Sequence, residues 1–337
     1  MSSATVTAPP RTILDVRDLA VEVHGHDPPL RPVRSVSFSL GAGERLGLVG
    51  ESGSGKSLTA LSLMRLLPRG AGIAAGSVQL LGRELTTLSE REMAGLRGGR
   101  IAMVYQDPMS SLNPMRTIGD QVVEAIRVHE RVGRGTAKRR AIDLLGHVGL
   151  PQPARRFGGY PHQFSGGMRQ RVMIAMAIAA GPQVLIADEP TTALDVTTQA
   201  RIMDLLDELV AEREMAVLLI THDLALAGSF CDTVQVMYAG RIVERGQADA
   251  VLESPVHPYT EALVGSICRI DADLETAIEA IPGQPPLPDR LPSGCPFHPR
   301  CAYAAAVCAE REPELETLVE GRAAACHFAA ERAGVAP

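Results

Sequence analysis

Apolar and polar positions alternate in two runs near the start of the chain, 13–23 and 33–40. A period of two is typical of strands that bury one face. A short apolar run over 45–49 then leads into a glycine-rich loop. The pattern that follows predicts a helix over 56–67, which ends because Pro68 cannot continue it. The opening part of the chain therefore predicts strands around one loop-and-helix unit.

Helical spacing replaces this alternation in the middle of the chain. Apolar side chains recur on one face of two segments, 118–129 and 137–148, which predicts two amphipathic helices. Strand-like segments flank them on both sides. We therefore expect a helical subdomain at about 107–180, inserted into an α/β unit.

The strand pattern returns after these helices. Continuous apolar runs at 184–187 and 217–220 are typical of parallel strands that are buried on both faces. A last β segment, 233–244, contains the turn Ala239-Gly240. From about residue 255 the pattern changes, and the proline-rich stretch 282–288 predicts an irregular segment.

Composition fits a soluble protein with a substantial core. The chain has 337 residues, 45% of them hydrophobic, and a net charge of -6. Its length suggests two or three domains, and its charge gives no reason to expect nucleic acid as a partner. The longest uncharged run, 172–187, is shorter than the roughly 20 residues that a membrane-spanning helix needs. Residues 1–10 lack the pattern of a signal peptide. We therefore expect a cytosolic protein whose membrane role would come through partner subunits.

The run Gly50-Glu51-Ser52-Gly53-Ser54-Gly55-Lys56-Ser57 matches the Walker A (P-loop) pattern between a strand and a helix. Its glycines let backbone amides face phosphates at a helix N-terminus. Lys56 is expected to reach the β- and γ-phosphates, and Ser57 to ligate Mg²⁺. The alternative is a glycine-rich turn without a ligand. The predicted phosphate-binding residues are Gly50, Ser52, Gly53, Ser54, Gly55, Lys56, Ser57 and Leu58.

Two adjacent acids, Asp188 and Glu189, follow the apolar run that begins at residue 184. A carboxylate at the C-terminal end of a buried strand can hold Mg²⁺ beside a P-loop, and Asp188 has that position. Glu189 is suited to orient or deprotonate the attacking water. Considered alone, the pair could equally be an ordinary strand end.

A family resemblance becomes specific at 164–171, Phe-Ser-Gly-Gly-Met-Arg-Gln-Arg. This run closely resembles the signature of ATP-binding cassette (ABC) proteins, which usually reads LSGGQ. Phe164 and Met168 depart from that pattern. Since Ser165-Gly166-Gly167 is intact, the resemblance implies that these residues bind the γ-phosphate at the site of an opposite subunit.

Other elements of the ABC family follow in the expected order. Gln106 resembles the Q-loop glutamine, which implies contact with Mg²⁺ and with a transmembrane partner. Ala193-Leu194-Asp195 resembles the D-loop, and His222 the switch histidine that contacts the γ-phosphate. Many ABC ATPases stack adenine on an aromatic residue after the first strand. Since 21–26 contains none, Val23 or His24 would have to fill that role.

Three segments narrow the resemblance to dipeptide/oligopeptide importers: 106–114, 257–260 and 294–301. Relatives with this architecture carry peptides, nickel, glutathione or other small solutes, so the cargo stays open. Two other classes fit less well. A soluble ABC protein of DNA repair or translation would have a coiled-coil insertion or two cassettes, and a non-ABC P-loop kinase or GTPase would lack the signature and His222.

The resemblance implies a P-loop NTPase (RecA-like) α/β cassette with an antiparallel β subdomain. We expect the nucleotide-binding domain over 11–255, with its helical subdomain at about 107–180, and a small cysteine-containing domain over 256–337. The implied partners are a sister ABC ATPase in a heterodimer, two transmembrane permeases and an extracytoplasmic peptide-binding protein. The implied location is the cytoplasmic side of the inner membrane, peripheral to it.

The cysteines are unevenly distributed. Cys231 and Cys268 are isolated, and each is expected to be a small buried or partly buried side chain. Four others crowd near the C-terminus, at positions Cys295, Cys301, Cys308 and Cys326. Disulfides are disfavoured in the cytosol, structural zinc usually uses closely spaced cysteine pairs, and iron–sulfur ligation tolerates varied spacing. Zinc, a cluster and unligated thiols stay open on these grounds. The tail resembles that of importer ATPases with a 4Fe-4S cluster, which implies that the four thiols ligate one.

Overall fold

The computed structural model describes residues 11–107, 111–192, 194–267, 281–319 and 321–334. The strands are β1 (Thr12–Val23), β2 (Leu30–Gly41), β3 (Arg45–Val49), β4 (Ala71–Leu80), β5 (Arg83–Glu84), β6 (Ile101–Val104), β7 (Val184–Asp188), β8 (Ala216–Thr221), β9 (Thr233–Tyr238), β10 (Arg241–Gln247), β11 (Glu316–Val319) and β12 (Arg322–Ala324). The helices are α1 (Lys56–Leu63), α2 (Glu90–Leu96), α3 (Ile118–His129), α4 (Arg134–His147), α5 (Pro153–Arg156), α6 (Gly166–Ile178), α7 (Val196–Arg213), α8 (Leu224–Phe230), α9 (Ala248–Glu253), α10 (Pro258–Gly265), α11 (Ala306–Glu310) and α12 (Ala329–Arg332).

The strands follow the order β5-β4-β1-β2-β10-β9-β3-β8-β7-β6. Strands β9, β3, β8, β7 and β6 pair in parallel and form the central sheet. Strands β5, β4, β1 and β2 pair antiparallel and form a second unit. A parallel bridge between Arg241 and Ser35 joins the two. The predicted antiparallel β subdomain is therefore present beside an α/β core.

The parallel strands are buried on both faces, as their continuous apolar runs predict. Leu185 and Ala187 of β7 join the hydrophobic cluster on one side of the sheet, and Val184 and Ile186 join the cluster on the other. Helices α6 and α7 contribute to the first cluster and α1 to the second. The core therefore has the layers of a sheet between helices.

Helices α3 to α6 lie between β6 and β7 in the sequence, as the predicted helical insertion requires. The Thr117 hydroxyl caps α3 by accepting the amide of Asp120 at 3.1 Å. The helix buries Ile118, Val122 and Ile126 on one face. Its bounds match the prediction, whereas α4 begins three residues earlier than predicted and ends one residue earlier.

Helix α1 is shorter than predicted, since it ends at Leu63 rather than Leu67. Arg65 has the left-handed φ of 49°. The amide of Leu66 donates to the carbonyl of Leu61 at 2.8 Å, a bond that closes a helix end. The prediction was wrong because a backbone cap, rather than Pro68, ends the helix.

The last β segment is a hairpin of β9 and β10, and the predicted turn is confirmed. Ala239 and Gly240 both have positive φ angles, 46° and 82°, as a tight two-residue hairpin turn requires. A side chain at position 240 would place its Cβ 2.8 Å from the carbonyl oxygen of Pro32. Glycine is therefore required there.

The C-terminal region extends the cassette's sheet. Strand β12 pairs antiparallel with both β10 and β11. No helix or strand occurs over 281–297, which confirms the predicted irregular segment. Phe297 packs into the main core cluster. The region is thus in contact with the cassette, and the division at residue 255 stays a prediction. Among the helices of the described residues, none has the length and apolar character to cross a membrane.

Candidate nucleotide-binding site

The P-loop connects β3 to α1, and its shape depends on glycine. The φ angles of Gly50, Gly53 and Gly55 are 159°, 83° and 107°. A Cβ at Gly50 would lie 2.2 Å from the carbonyl oxygen of Met237. One at Gly55 would lie 2.6 Å from the carbonyl oxygen of Pro32. The β9–β10 hairpin and β2 therefore approach the loop so closely that Gly50 and Gly55 have no room for a side chain, and the loop can adopt this form only with glycine at both positions.

Lys56 lies at the centre of this loop. Its ammonium donates to the carbonyl oxygens of Gly50 at 2.6 Å and Glu51 at 2.9 Å. Burial lowers the pKa of Lys56, and the nearby negative charges of Glu189, Asp188 and Glu51 raise it in part. The loop thus encloses a single cation that can reach phosphate oxygens.

The other predicted loop residues have varied surroundings. The hydroxyl of Ser54 lies 3.4 Å from the Lys56 ammonium. Ser52 is exposed. Leu58 is half-buried and packs against the core. Its carbonyl accepts the hydroxyl of Ser62 at 2.7 Å, inside α1.

Asp188 ends β7 next to the first turn of α1. The hydroxyl of Ser57 donates to its carboxylate at 3.2 Å. Burial raises the pKa of Asp188, although the Ser57 hydrogen bond and the Lys56 charge act in the opposite direction. The two side chains bring oxygens together, and oxygen ligands are those that Mg²⁺ prefers. These residues therefore fit a Mg²⁺ site.

Glu189 accepts three contacts from side chains around it. Gln106 Nε2 and Thr192 Oγ1 donate to one carboxylate oxygen at 2.7 Å and 2.8 Å, and His222 Nδ1 lies 3.2 Å from the other. Burial acts to raise the pKa of Glu189, but the bonds from Thr192 and His222, with the charges of His222 and Lys56, lower it overall. The carboxylate is therefore ionised at neutral pH and can accept a proton.

Strand order explains why distant residues converge here. Gln106 lies just beyond β6, Glu189 follows β7, and His222 follows β8. These three strands are parallel neighbours, so their C-terminal ends meet at one edge of the sheet. Glu189 also has a φ of 46°, held by a bond from its amide to the carbonyl of Ile220 at 2.8 Å.

The signature lies at the start of α6 and contacts the D-loop. Ser165 caps α6 by accepting the amide of Met168 at 3.4 Å. A Cβ at Gly167 would lie 2.4 Å from the Thr198 methyl group. Asp195 accepts both the amide and the hydroxyl of Thr198, at 2.9 Å and 2.8 Å. Gly167 and Asp195 thus both lie against Thr198. Ala193 lies outside the described residues.

The candidate adenine contacts lie at the end of β1. Val23 pairs with Leu30 and Ala71 in the antiparallel unit. The amide of His24 donates to the carbonyl of Gly70 at 2.7 Å. Their role in base contact stays a prediction.

Two residues that sequence reasoning missed touch the P-loop from the C-terminal region. Arg300 forms an ion pair with Glu51 at 2.7 Å. Tyr259 accepts the Glu51 amide at 2.8 Å. The only sequence signal was that both residues lie in the segments that resemble the importers, 257–260 and 294–301.

The four C-terminal cysteines line one narrow cleft that is partly open to solvent. Burial, with smaller contributions from the other three thiols, raises the pKa of Cys295 to about 11, although a backbone hydrogen bond from Phe297 acts in the opposite direction. Within the described ranges, no group of three or more His, Cys, Asp or Glu side chains has an arrangement that could hold a metal ion. The isolated Cys231 is buried as expected, and Cys268 lies outside the described residues.

Comparison with known proteins identifies the family of this chain. The model of the ABC transporter family matches residues 33–192, and that of the oligopeptide/dipeptide transporter C-terminal region matches 243–308. Dipeptide transport ATP-binding protein DppD of Escherichia coli is 48% identical over 322 residues, 96% of this chain and 98% of the relative. The chain belongs to the ATP-binding subunits of ABC transporters. Within them it is a member of the dipeptide/oligopeptide importer family, which confirms the predicted family.

Further relatives of this ABC subunit agree. Oligopeptide transport ATP-binding protein OppD of Escherichia coli is 49% identical over 314 residues, 93% of this chain and 92% of the relative. The solved post-hydrolysis dimer of the cassette MJ0796 bound to ADP and Pi has a TM-score of 0.64 and 26% identity, covering 70% of this chain and 99% of that one. The predicted ABC cassette fold is thereby confirmed, and the chain is an ABC-type ATPase.

Proposed function

We propose that this subunit binds Mg²⁺-ATP and hydrolyses it to power the import of dipeptides or oligopeptides across the cytoplasmic membrane. The observation that carries the proposal is the convergence of Gln106, Glu189 and His222 beside the P-loop. The printed names of the relatives supply the cargo class.

Each residue at this edge of the sheet has a role that its chemistry supports. Lys56 and the loop amides bind the β- and γ-phosphates. Ser57, Asp188 and Gln106 would hold Mg²⁺ through their side-chain oxygens. Glu189 orients the attacking water and accepts its proton, and His222 moves from Glu189 toward the γ-phosphate.

The signature acts at the site of a second cassette. Ser165-Gly166-Gly167 opens α6, so its amides and the helix N-terminus suit a phosphate. Asp195 is hydrogen-bonded to Thr198, which lies beside Gly167, so Asp195 and the signature face the dimer partner together. Two cassettes therefore close on two ATP molecules and open after hydrolysis.

The assembly that we propose contains a sister ABC ATPase as heterodimer partner, two transmembrane permeases and an extracytoplasmic peptide-binding protein. The chain lies at the cytoplasmic face of the membrane, peripheral to it. Its nucleotide-binding domain spans 11–255, with the helical subdomain at about 107–180 facing the permeases. Residues 256–337 form the C-terminal domain.

Reconstitution tests this function. The complex is placed in vesicles with binding protein, and ATP hydrolysis and uptake are followed with a labelled dipeptide, a labelled pentapeptide, nickel or glutathione. We expect peptide alone to stimulate hydrolysis and to accumulate. Stimulation by nickel or glutathione, without peptide uptake, would assign the alternative cargo.

We further propose that Cys295, Cys301, Cys308 and Cys326 hold a 4Fe-4S cluster, with zinc as the alternative. The donor set supports this, because the four thiols line one cleft, although among the described residues their positions do not by themselves form a metal site. Burial raises the pKa of three of these thiols, so ligation would have to displace their protons. Thiolates are the usual cluster ligands. A bound cluster would cross-link the C-terminal domain without taking part in ATP hydrolysis.

Anaerobic purification tests the cluster. Brown protein with about four iron and four sulfide per chain is expected, and Cys308→Ser should lose both colour and iron. Since Cys231 is buried elsewhere, Cys231→Ser is the matched control and should keep the colour. Colourless protein with one zinc would assign zinc, and metal-free thiols that all react with an alkylating agent would reject both.

A further inference from the structure

Glu51, the second residue of the P-loop, is bound by an arginine from the far end of the chain. The two Arg300 Nη atoms lie 2.7 Å and 3.0 Å from its two carboxylate oxygens, a bidentate pair. Only 5% of the Arg300 side chain is exposed. Its guanidinium also donates to the carbonyl of Pro282 at 2.8 Å and to the hydroxyl of Tyr238 at 3.2 Å. The arginine is therefore fixed from several sides.

The backbone of Glu51 is bound as well. Its amide donates to the hydroxyl of Tyr259 at 2.8 Å. Tyr259 is fully buried, and its ring packs against Tyr238 and Phe297 at centroid distances of 4.5 Å and 5.4 Å. The packing thus holds the Tyr259 side chain in one position, and its hydroxyl fixes the Glu51 amide that donates to it.

These contacts continue into the turn that carries two of the C-terminal cysteines. The amide of His298 donates to the carbonyl of Cys295 at 3.0 Å, and the amide of Cys301 to that of His298 at 3.2 Å. Phe297 and Arg300 both lie on this turn. An ordered turn therefore sets the positions of Arg300, which pairs with Glu51, and of Phe297, which packs against Tyr259.

Glu51 connects directly to the phosphate-binding lysine. Its carbonyl accepts the Lys56 ammonium at 2.9 Å, and its negative charge acts on Lys56. Without a counter-charge, this carboxylate would repel the phosphates of ATP. Arg300 supplies that counter-charge. Because the pair is partly shielded from solvent, its electrostatic attraction is stronger than that of an exposed pair.

We propose that Arg300 and Tyr259 are positioning residues for nucleotide binding: the C-terminal region holds Glu51, and through it the P-loop, in its phosphate-binding form. This inference rests on the proposed function only in naming ATP as the ligand. It makes the C-terminal region part of the nucleotide site's support.

Two measurements on the full chain test this inference. The first is hydrogen exchange of the amides over 50–56 without nucleotide, and the second is equilibrium binding of ATP. The variants are Arg300→Lys, which keeps the charge but loses the bidentate geometry, and Tyr259→Phe, which removes only the acceptor of the Glu51 amide. Glu312→Gln is the matched control, because Glu312 makes a bidentate pair with Arg34 that also joins the C-terminal region to the cassette.

We expect both variants to speed exchange over 50–56 and to raise the Kd for ATP about tenfold, the effect of losing one charge-assisted or buried hydrogen bond. In hydrolysis, KM should rise while kcat stays within about threefold. The control should change neither. In the Arg300→Ala background, Glu51→Gln should recover part of the ATP affinity, since it removes the uncompensated charge.

Unchanged exchange over 50–56 in both variants would overturn the inference. An equal effect of Glu312→Gln would also overturn it, because general loosening of the C-terminal region would then suffice. Wild-type protein that binds no ATP would refute the proposed function, while the exchange comparison would still decide this inference.

Discussion

Replacing Glu189 with glutamine separates proton transfer from site geometry. The amide of the variant has nearly the same shape as the carboxylate. In the native chain Gln106 and Thr192 donate to the same carboxylate oxygen, and the amide oxygen can still accept both hydrogen bonds. Its NH₂ group can donate to His222 Nδ1 in the tautomer that accepts there. Backbone strain at the φ of 46° is the same for both side chains. The change in folding free energy should therefore stay below about 1 kcal/mol.

Turnover should fall much further. An amide cannot accept the proton of the attacking water, and loss of a general base typically costs about 10²–10⁴-fold in rate. This corresponds to about 3–5 kcal/mol of activation free energy. ATP affinity should stay within about threefold, since Lys56 and the loop are unchanged. The variant should consequently accumulate as a closed, ATP-bound dimer.

The assay is phosphate release under single-turnover conditions, with the site of any partner ATPase inactivated. Thr192→Val is the matched control, because it removes one donor to the same oxygen and keeps the carboxylate. It should lose less than about tenfold in rate. Turnover of Glu189→Gln within tenfold of wild type would refute the assignment of Glu189 as the base.

Further substitutions test phosphate binding, Mg²⁺ binding and coupling to transport. Lys56→Ala should weaken ATP binding itself, by more than about tenfold in equilibrium titration, because it removes the buried cation of the P-loop; unchanged affinity would contradict its role. Because burial raises the pKa of Asp188, its ionised form is less favourable in the native chain than in the unfolded one at neutral pH. Asp188→Asn should accordingly raise the Tm measured at pH 7 without Mg²⁺ and lose the added stabilisation by Mg²⁺-ATP, and a lower Tm would count against this reasoning. Substitution of Asp107 or Asn113 should reduce peptide uptake by the vesicle-bound complex more than ATP hydrolysis by the isolated chain, and equal losses would indicate a purely nucleotide-site role.

The P-loop could be predicted because its chemistry is contiguous. One run of residues, 50–57, contains the glycines, the cation and the hydroxyl, so no knowledge of the fold was needed. The crossing of Met237 and Pro32 over Gly50 and Gly55 could not be predicted, since it depends on how the hairpin and β2 approach the loop.

The convergence of Gln106, Glu189 and His222 could be predicted only through strand order. Gln106 and Glu189 are 83 positions apart and make contact because β6 and β7 are parallel neighbours. The apolar runs predicted buried parallel strands, but periodicity does not define which strands are adjacent. The family resemblance supplied that missing step.

The support of the P-loop by the C-terminal region could not be predicted. Arg300 and Glu51 are 249 positions apart, and an arginine in a proline-rich segment gives no signal of a buried pair. The pairing of β12 with β10 was equally hidden, because β12 has only three residues and no alternation to define a register. The local sequence pattern does not predict contacts that depend on the packing of residues far apart in the chain.

We propose that this chain hydrolyses ATP at the site built around Lys56 and Glu189. The measurement is phosphate release with Mg²⁺-ATP from the purified complex in which the sister ATPase's own site is inactivated, compared with the same preparation in EDTA. We expect steady release that depends on Mg²⁺ and is absent from Lys56→Ala. Release that is no greater than in that variant, or that continues unchanged in EDTA, would contradict it.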